Sequence, residues 1–426
     1  MVETQMQNEL TESVQQSIRP GEMCDTFYYG ETNLEKQAYP CVVDNRFFQQ
    51  FTNLSSGQSQ FIISPKQGVS DIVLAFTMGA VTGTATGACL PAAWGYNLIN
   101  RVSVRYGSSA QYYFSGAEMY LLNLLDSENG DKRDSLSALG GVAVNGANCS
   151  GAKAYCYLKL PHNSPRANGK PLPFPSDLLV QPIVITVELY PVQQIFRLAT
   201  GSTAVVPTAL ASAYLQVRQE TLSDSSDLLS RRVDMNKEAY TFPLMYFPQQ
   251  EVQVALQPAT IAQNVNLTGF RAGEVKSILL WLTNNATTTL ANPVAGAATS
   301  WQPQIWAQMS NVILTYNGEI FFQSNDSAAQ LWNLVSDEKG SQVNTFLTNN
   351  DASTTATTST WIEVPFAQIN VAWDREMKLV HGKPILNSVV NLSFNCPDNS
   401  ASYTLHAVYL YNASLLCSRG SAEYIF

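Results

Sequence analysis

Charge is scarce in this chain: Asp, Glu, Lys and Arg together make up 13 % of its 426 residues, about half the usual share of about 25 %. Such a surface must be polar through Ser, Thr, Asn, Gln and backbone. That suits a protein with much of its surface buried against neighbours, although a secreted β-protein would share it. Lys and Arg form no block, and 24 of them against 33 Asp and Glu leave a net charge of −9. Stable nucleic-acid binding draws on a basic patch that displaces counterions, so no direct nucleic-acid binding is expected. Cysteines number seven, Cys24, Cys41, Cys89, Cys149, Cys156, Cys396 and Cys417, with no C-x-x-C pair. An odd, scattered set argues against a dense disulfide framework or a zinc site of ordinary spacing. These read as reduced core thiols, which favours folding in a cytosol. No run of about 18 apolar residues is present to span a membrane, and the polar, acidic N-terminus lacks the apolar stretch of a signal peptide.

Catalytic and metal-binding patterns are equally thin. The three histidines, His162, His381 and His406, stand alone, outside H-E-x-x-H or any other metal spacing, and are expected to be structural. No G-x-S-x-G elbow occurs. Gly169-Lys170-Pro171 lacks the flanking residues of a phosphate loop, and Gly140-Gly141 is too short for one. Asp126, Glu128, Asp131 and Asp134 lack the Gly and Glu positions of a calcium loop and read as solvated. A glycosidase-type carboxylate pair could be placed in any fold with this many acids, so that class stays open. No catalytic, cofactor-binding or metal site residue is assigned, and no cofactor is expected. Sequons at Asn266, Asn285 and Asn412 are what an Asn- and Thr-rich chain produces by chance.

What is present is β texture and size. The length suits two domains, and 45 % hydrophobic residues can fill two cores. Val2, Met6, Leu10, Val14 and Ile18 mark one face of a short helix ended by Pro20, an arm expected to pack on protein. From residue 40, segments rich in β-branched and aromatic residues alternate with Gly, Pro, Asn and Ser clusters. Strands are expected at 60–64, 71–77, 101–106, 154–160, 182–189 and 214–219. After a charged connector at 224–238, they resume at 244–247, 251–256, 275–282, 312–316, 360–364, 389–394 and 403–411. Low-complexity stretches at 284–300 and 341–360 read as long exposed loops. Trp94, Trp301 and Trp306 flank matching strands and are expected to pack in cores.

Self-similarity organises these segments. Val102-Ser-Val-Arg-Tyr-Gly faces Val312-Ile-Leu-Thr-Tyr-Asn at an offset of 210. At the same offset Leu121-Leu-Asn-Leu-Leu-Asp-Ser-Glu-Asn-Gly faces Leu331-Trp-Asn-Leu-Val-Ser-Asp-Glu-Lys-Gly, with Asn123/Asn333, Glu128/Glu338 and Gly130/Gly340 identical. Short helices are expected at 118–126 and 328–336. Gly169-Lys-Pro precedes a strand containing Ile185-Thr-Val-Glu-Leu, and Gly382-Lys-Pro precedes Val390-Asn-Leu-Ser-Phe. Ala211-Ser-Ala-Tyr-Leu-Gln-Val and Ala401-Ser-Tyr-Thr-Leu-His-Ala open the last strand of each half. Strands with one apolar face must bury it against a second sheet. The expectation is therefore all-β: two tandem eight-stranded jelly rolls (β-sandwiches) with short helices in the inter-strand loops. The arm is placed at 1–39, the first jelly roll at 40–222, a connector at 223–239 and the second jelly roll at 240–426.

In this order of elements the chain resembles the double-jelly-roll major capsid proteins of the adenovirus and tectivirus lineage. It is most similar to those of algal large DNA viruses and of virophage- and polinton-like elements. The segments 70–76, 99–107, 172–174 with 184–189, 309–319 and 405–416 carry the likeness, by element order more than identity. The resemblance implies a homotrimer of pseudo-hexagonal outline that tiles an icosahedral virion shell around a DNA genome, in a virus whose proteins are made in the host cytoplasm. Implied partners are the chain itself, neighbouring capsomers, penton proteins and minor capsid proteins. The N-terminal arm would reach an internal membrane, a minor protein or a neighbouring capsomer, and the long loops would form outward towers. Two other classes compete: a carbohydrate- or receptor-binding β-sandwich protein, which would cluster exposed aromatics in one set of loops, and a β-sandwich hydrolase with a carboxylate pair in a cleft.

Overall fold

A computed structural model describes residues 42–65, 68–83, 88–91, 93–125, 139–142, 144–158, 174–198, 203–222, 239–248, 251–256, 260–268, 273–284, 306–307, 309–323, 342–349, 361–370, 372–374, 379–381, 383–385, 390–396 and 402–425. Sixteen strands carry the architecture. The first half holds β1 (Val42–Gln50), β2 (Gly57–Ile63), β3 (Gly68–Thr77), β4 (Ile99–Tyr106), β5 (Tyr112–Ser115), β6 (Lys153–Tyr157), β7 (Ile183–Leu189) and β8 (Ser212–Leu222). The second half holds β9 (Ala239–Pro248), β10 (Ala262–Leu267), β11 (Gly273–Asn284), β12 (Ser310–Tyr316), β13 (Glu319–Gln323), β14 (Trp361–Asn370), β15 (Val390–Asn395) and β16 (Tyr403–Ser418).

The two halves are wound alike. In the first, one sheet runs β1-β8-β3-β6 and the facing one β2-β7-β4-β5; in the second they run β9-β16-β11-β14 and β10-β15-β12-β13. All pairings are antiparallel, and they nest: β1 with β8, β2 with β7, β3 with β6, β4 with β5. In the same order, β9 joins β16, β10 joins β15, β11 joins β14 and β12 joins β13. A four-deep nest of antiparallel pairs, folded over into two facing sheets, is a jelly roll. The chain therefore contains two.

Alternation explains the layering. In β2, β10 and β15 every second residue is buried, as a strand with one face on a core requires. In β11 and β16 the runs Ile278 to Leu282 and Leu405 to Tyr411 are almost continuously buried, the signature of strands covered on both faces. The Asn317-Gly318 turn between β12 and β13 has both residues at positive φ (51° and 84°), the turn whose twist matches a hairpin.

Two short helices close one end of the first jelly roll, α1 (Trp94–Leu98) and α2 (Gly116–Leu125). Ser115 and Glu118 form a reciprocal cap at the start of α2. The Glu118 N–H donates to Ser115 Oγ at 3.2 Å, and the Ser115 N–H to Glu118 Oε2 at 3.4 Å. Asn123 ties the helices to the sheet, donating to Tyr96 Oη (3.1 Å) and to the Tyr157 carbonyl (2.8 Å).

The pattern-based expectations hold for every strand named from the sequence, with shifted ends. Four jelly-roll strands escape that reading: β1, β5, β10 and β13. One expectation is wrong. The stretch 341–360, read as an exposed loop, contains a strand, Gln342–Asn349, that pairs with β14. Its Val, Phe, Leu and Thr favour extended backbone, which the surrounding Asn and Thr masked. Extra short strands also thicken the sheets, and Ala88–Leu90 joins Val144–Asn145 and Arg197–Leu198 in a small third sheet. The arm at 1–39, the connector at 224–238, the loop at 285–300 and the helix at 328–336 lie outside the described residues, as do His162, Asp126, Glu128, Asp131, Asp134, Asn285 and Trp301.

Candidate assembly surfaces and the junction between sandwiches

The junction is built by the end of the chain. β16 continues past the end of β11, and its last residues pair with β9 on one side. On the other they pair with a returning strand, Ser421–Ile425. The two-residue turn between them, Arg419-Gly420, has φ of 50° and 78°, again the hairpin type.

This hairpin reaches the first sandwich at the β4–β5 turn. Ser108 Oγ accepts the Ala422 N–H at 3.0 Å and donates to the Ala422 carbonyl at 3.2 Å. The Val180 N–H donates to the Gly420 carbonyl at 2.9 Å. A side chain at Gly420 would run into Val180 Cγ2. Tyr424 sets its ring edge-on to Tyr112, centroids 6.1 Å apart, and burial raises its hydroxyl well above the usual phenol value.

A buried polar group extends the junction. Glu251, next to the short strand Val252–Ala255, pairs with His406 Nδ1 at 2.5 Å. The other ring nitrogen of His406 meets Thr283 Oγ1 at 2.7 Å, and its ring stacks on Trp281 at 5.1 Å. Across the junction Glu251 also bonds the Ser115 hydroxyl of the first sandwich. Burial opposes its charge, but the hydrogen bond and charge of His406, with the Ser115 and Gln253 bonds, hold its carboxyl below the usual range. Glu118 is pushed the other way. Full burial, then the neighbouring Glu251 charge, raises it well above the usual carboxylate value, against the Ser115 backbone bond. The two carboxyls are thus shifted in opposite directions, Glu251 down by its His406, Ser115 and Gln253 partners and Glu118 up by burial and the Glu251 charge.

The outer faces differ between sandwiches. On the first, Glu188 accepts from Asn100 (3.0 Å) and pairs with Arg101 (3.5 Å), whose guanidinium lies 5.0 Å over the Tyr113 ring. On the matching face of the second, Asn391 donates to Asn264 and Asn266, the latter at 2.8 Å, an amide ladder without charge. Phe48 on β1, Ile62 on β2 and Ile320 on β13 are 59 %, 53 % and 63 % exposed.

The sequence pointed to no site residue, and the structure brings together a set it did not single out: Ser115, Glu118, Glu251, Thr283 and His406. The Ser-x-x-Glu cap at 115–118 was a legible signal; the cross-sandwich contact was not, because its members lie more than a hundred residues apart. His406 is a buried hydrogen-bonded histidine, and Trp94 is fully buried; Trp306 opens a short strand beside β11, and His381 ends one at Leu379–His381. Cys89, Cys149, Cys156, Cys396 and Cys417 are buried thiols, with burial pushing Cys149 and Cys417 up to about 12. Among the described residues no cluster of three metal-ligating side chains occurs, and no helix is long and apolar enough to cross a membrane.

No family model matches the sequence, and no curated protein does. Solved structures do. A chain of the PBCV-1 virus capsid quasi-atomic model superposes with a TM-score of 0.59 at 15 % identity, over 91 % of this chain and 97 % of that one. The PBCV-1 crystal structure fitted into a reconstruction of the virophage Sputnik gives 0.59 at 14 % identity, with the same coverage. A chain of the Sputnik virophage cryo-EM structure gives 0.54 at 10 % identity, over 90 % and 88 %. At these identities the likeness is one of fold: the chain is a double jelly roll from end to end of the matched region.

Proposed function

We propose that this chain is a major capsid protein, a structural building block and not an enzyme, that assembles as a homotrimer. The observation that carries the reading is the fusion of two equally wound jelly rolls, locked side by side by a buried junction, in a fold shared over nine-tenths of the chain with a virus capsid chain. Three such chains present six similar wedges, a pseudo-hexagonal unit able to tile an icosahedral virion. Neighbouring capsomers, penton proteins and minor capsid proteins are the partners, and the shell encloses a DNA genome. The net charge of −9 makes the genome an occupant of the shell and not a ligand of this chain. Residues 1–39 serve as an arm toward a neighbour, a minor protein or an internal membrane, and 223–239 connect the sandwiches.

The test is the mass of the purified full chain by light scattering at low micromolar concentration. A species near three times 46.7 kDa supports the reading. A monomer that persists at high concentration overturns it and favours a carbohydrate- or receptor-binding sandwich.

A further inference from the structure

We infer that the two sandwiches are hinged at the chain-terminal strap, Ser421–Ile425 with the end of β16, and that a proton held on Glu118 at the opposite end of the junction keeps them closed. The device belongs to the single chain and does not depend on the trimeric reading.

The contact between sandwiches runs along the β4–β5 hairpin, and its two ends differ in chemistry. At the turn the contacts are neutral. Ser108 Oγ exchanges hydrogen bonds with the Ala422 backbone, and the Val180 N–H donates to the Gly420 carbonyl. Tyr112 meets Tyr424 beyond the turn. Burial raises Tyr106, Tyr424 and Cys417, so these groups stay uncharged at neutral pH. The strap's own charges, Arg419 and Glu423, are exposed.

At the end of β5 the contacts titrate. Ser115 and Glu118 of the first sandwich lie close to Glu251 of the second, which pairs with His406. Tyr190, just past β7, lies near Glu251 and Glu188, and Glu188 pairs with Arg101 at 3.5 Å. Tyr96, on α1, is a phenol held neutral by burial. The two cations of this group, His406 and Arg101, are thus each engaged by another carboxylate.

Glu118 cannot ionise here without cost. It is fully buried. Its Oε2 accepts the Ser115 N–H at 3.4 Å, and its Oε1 meets no hydrogen-bond partner among the described residues. An ionised carboxylate would leave a charged oxygen buried and unbonded, within reach of the Glu251 charge. Burial and that charge accordingly raise the Glu118 carboxyl. Opening the junction at this end admits water, restores the ordinary value and sends the proton to solvent. Closure therefore binds one proton and opening releases it. Above the ordinary value of 4.5 the open fraction grows by up to about tenfold per pH unit, and it levels off once the closed form also ionises. The neutral contacts at the strap hold through the same range, which makes the strap the axis of a hinge.

The experiment measures distances by pulsed electron spin resonance on the full chain carrying two spin labels, diluted into unlabelled chain. Gln60→Cys with Ala255→Cys spans the titratable end, and Arg105→Cys with Glu423→Cys spans the strap. All four positions are exposed, and the described native thiols are buried. Between pH 5 and pH 9 a longer Gln60–Ala255 distance should grow in, while the Arg105–Glu423 distance stays fixed. Glu118→Gln should hold the Gln60–Ala255 distance at its pH 5 value throughout. Glu251→Gln removes the like charge, so its opening should level off at lower pH and with a smaller open fraction; it carries the test if Glu118→Gln does not fold. A Gln60–Ala255 distance unchanged up to pH 9 overturns the inference. So does the same opening in Glu118→Gln, an opening in Glu251→Gln identical to wild type, or a lengthening of both distances together.

Discussion

The two jelly rolls share a winding and differ in almost everything laid on it. The first is sealed at one end by α1 and α2 around the Tyr96–Asn123–Tyr157 knot, and shows charged residues on the β2-β7-β4-β5 face. On the matching face of the second, Asn264, Asn266 and Asn391 form an amide ladder, and one of its sheets is extended by four further short strands and the Gln342–Asn349 hairpin strand. The second also supplies the terminal hairpin that reaches across to its neighbour. The lesson is that the nested pairing and the buried alternation suffice to make the sandwich, while edges and faces are free to differ: one edge of each sandwich is taken up by the intramolecular junction, and the matching faces carry different polar chemistry.

Several substitutions would break or sharpen this comparison. The largest effects belong to Trp94 and Trp281, the fully buried tryptophans among the described residues, one per sandwich. Trp94→Ala and Trp281→Ala should each cost about 3–5 kcal/mol. Because the junction joins the sandwiches, calorimetry should show one transition lowered in both variants. Two transitions, with only the altered half displaced, would mean the units melt separately.

Next comes Gly420→Val, which puts a β-branched side chain at positive φ and against Val180. A loss of about 1–3 kcal/mol is expected, and with the strap loosened the two halves should begin to melt apart. A melt identical to wild type would remove the hairpin from the junction's supports.

Acid and base act oppositely on the two junction carboxylates. Glu251 has a folded value below its unfolded one, so its contribution is complete above about pH 4.5 and is lost as the pH falls through the depressed folded value. Glu251→Gln should therefore be less stable than wild type at pH 7, the gap narrowing in acid. Glu118 has a raised folded value, so the folded state holds the extra proton and its ionisation weakens the fold as the pH rises above about 4.5. Glu118→Gln keeps the cap to Ser115 and should raise the melting temperature more at pH 8 than at pH 5; an equal shift at both would refute the protonated carboxyl. The smallest change is expected from Arg101→Ala, whose ion pair is 44 % and 29 % exposed. Less than about 1 kcal/mol should be lost, with assembly unaltered.

Much of the winding was legible from the repeat. The 210-residue offset pairs β4 with β12, and both occupy the same place in their sheets. A short segment near each Gly-Lys-Pro, Phe174–Pro175 in the first half and Lys383–Ile385 in the second, pairs with the start of the third strand of its half, β3 and β11. β5 escaped because four residues are too few for a periodic signal. β10 escaped because its alternate positions are Asn264 and Asn266, turn-forming residues that here bond across the sheet to Asn391. Asn123 was visible as a repeated residue, yet its task of joining two helices to β6 depends on three segments that meet only in the fold.

By itself the sequence determined that two β-sandwiches of one design follow each other, because apolar alternation and an internal repeat are properties of the chain read in order. It also set the chemistry available: little charge, no basic patch, scattered thiols. Only the tertiary structure decided which edges are covered. That depends on β16 outrunning its sheet and folding back against the first sandwich, and on Glu118 and Glu251, 133 residues apart, lying close enough that burial and the Glu251 charge raise the Glu118 carboxyl. Contacts between distant segments cost loop entropy that no local pattern records, so they can be read only after the strands have been placed.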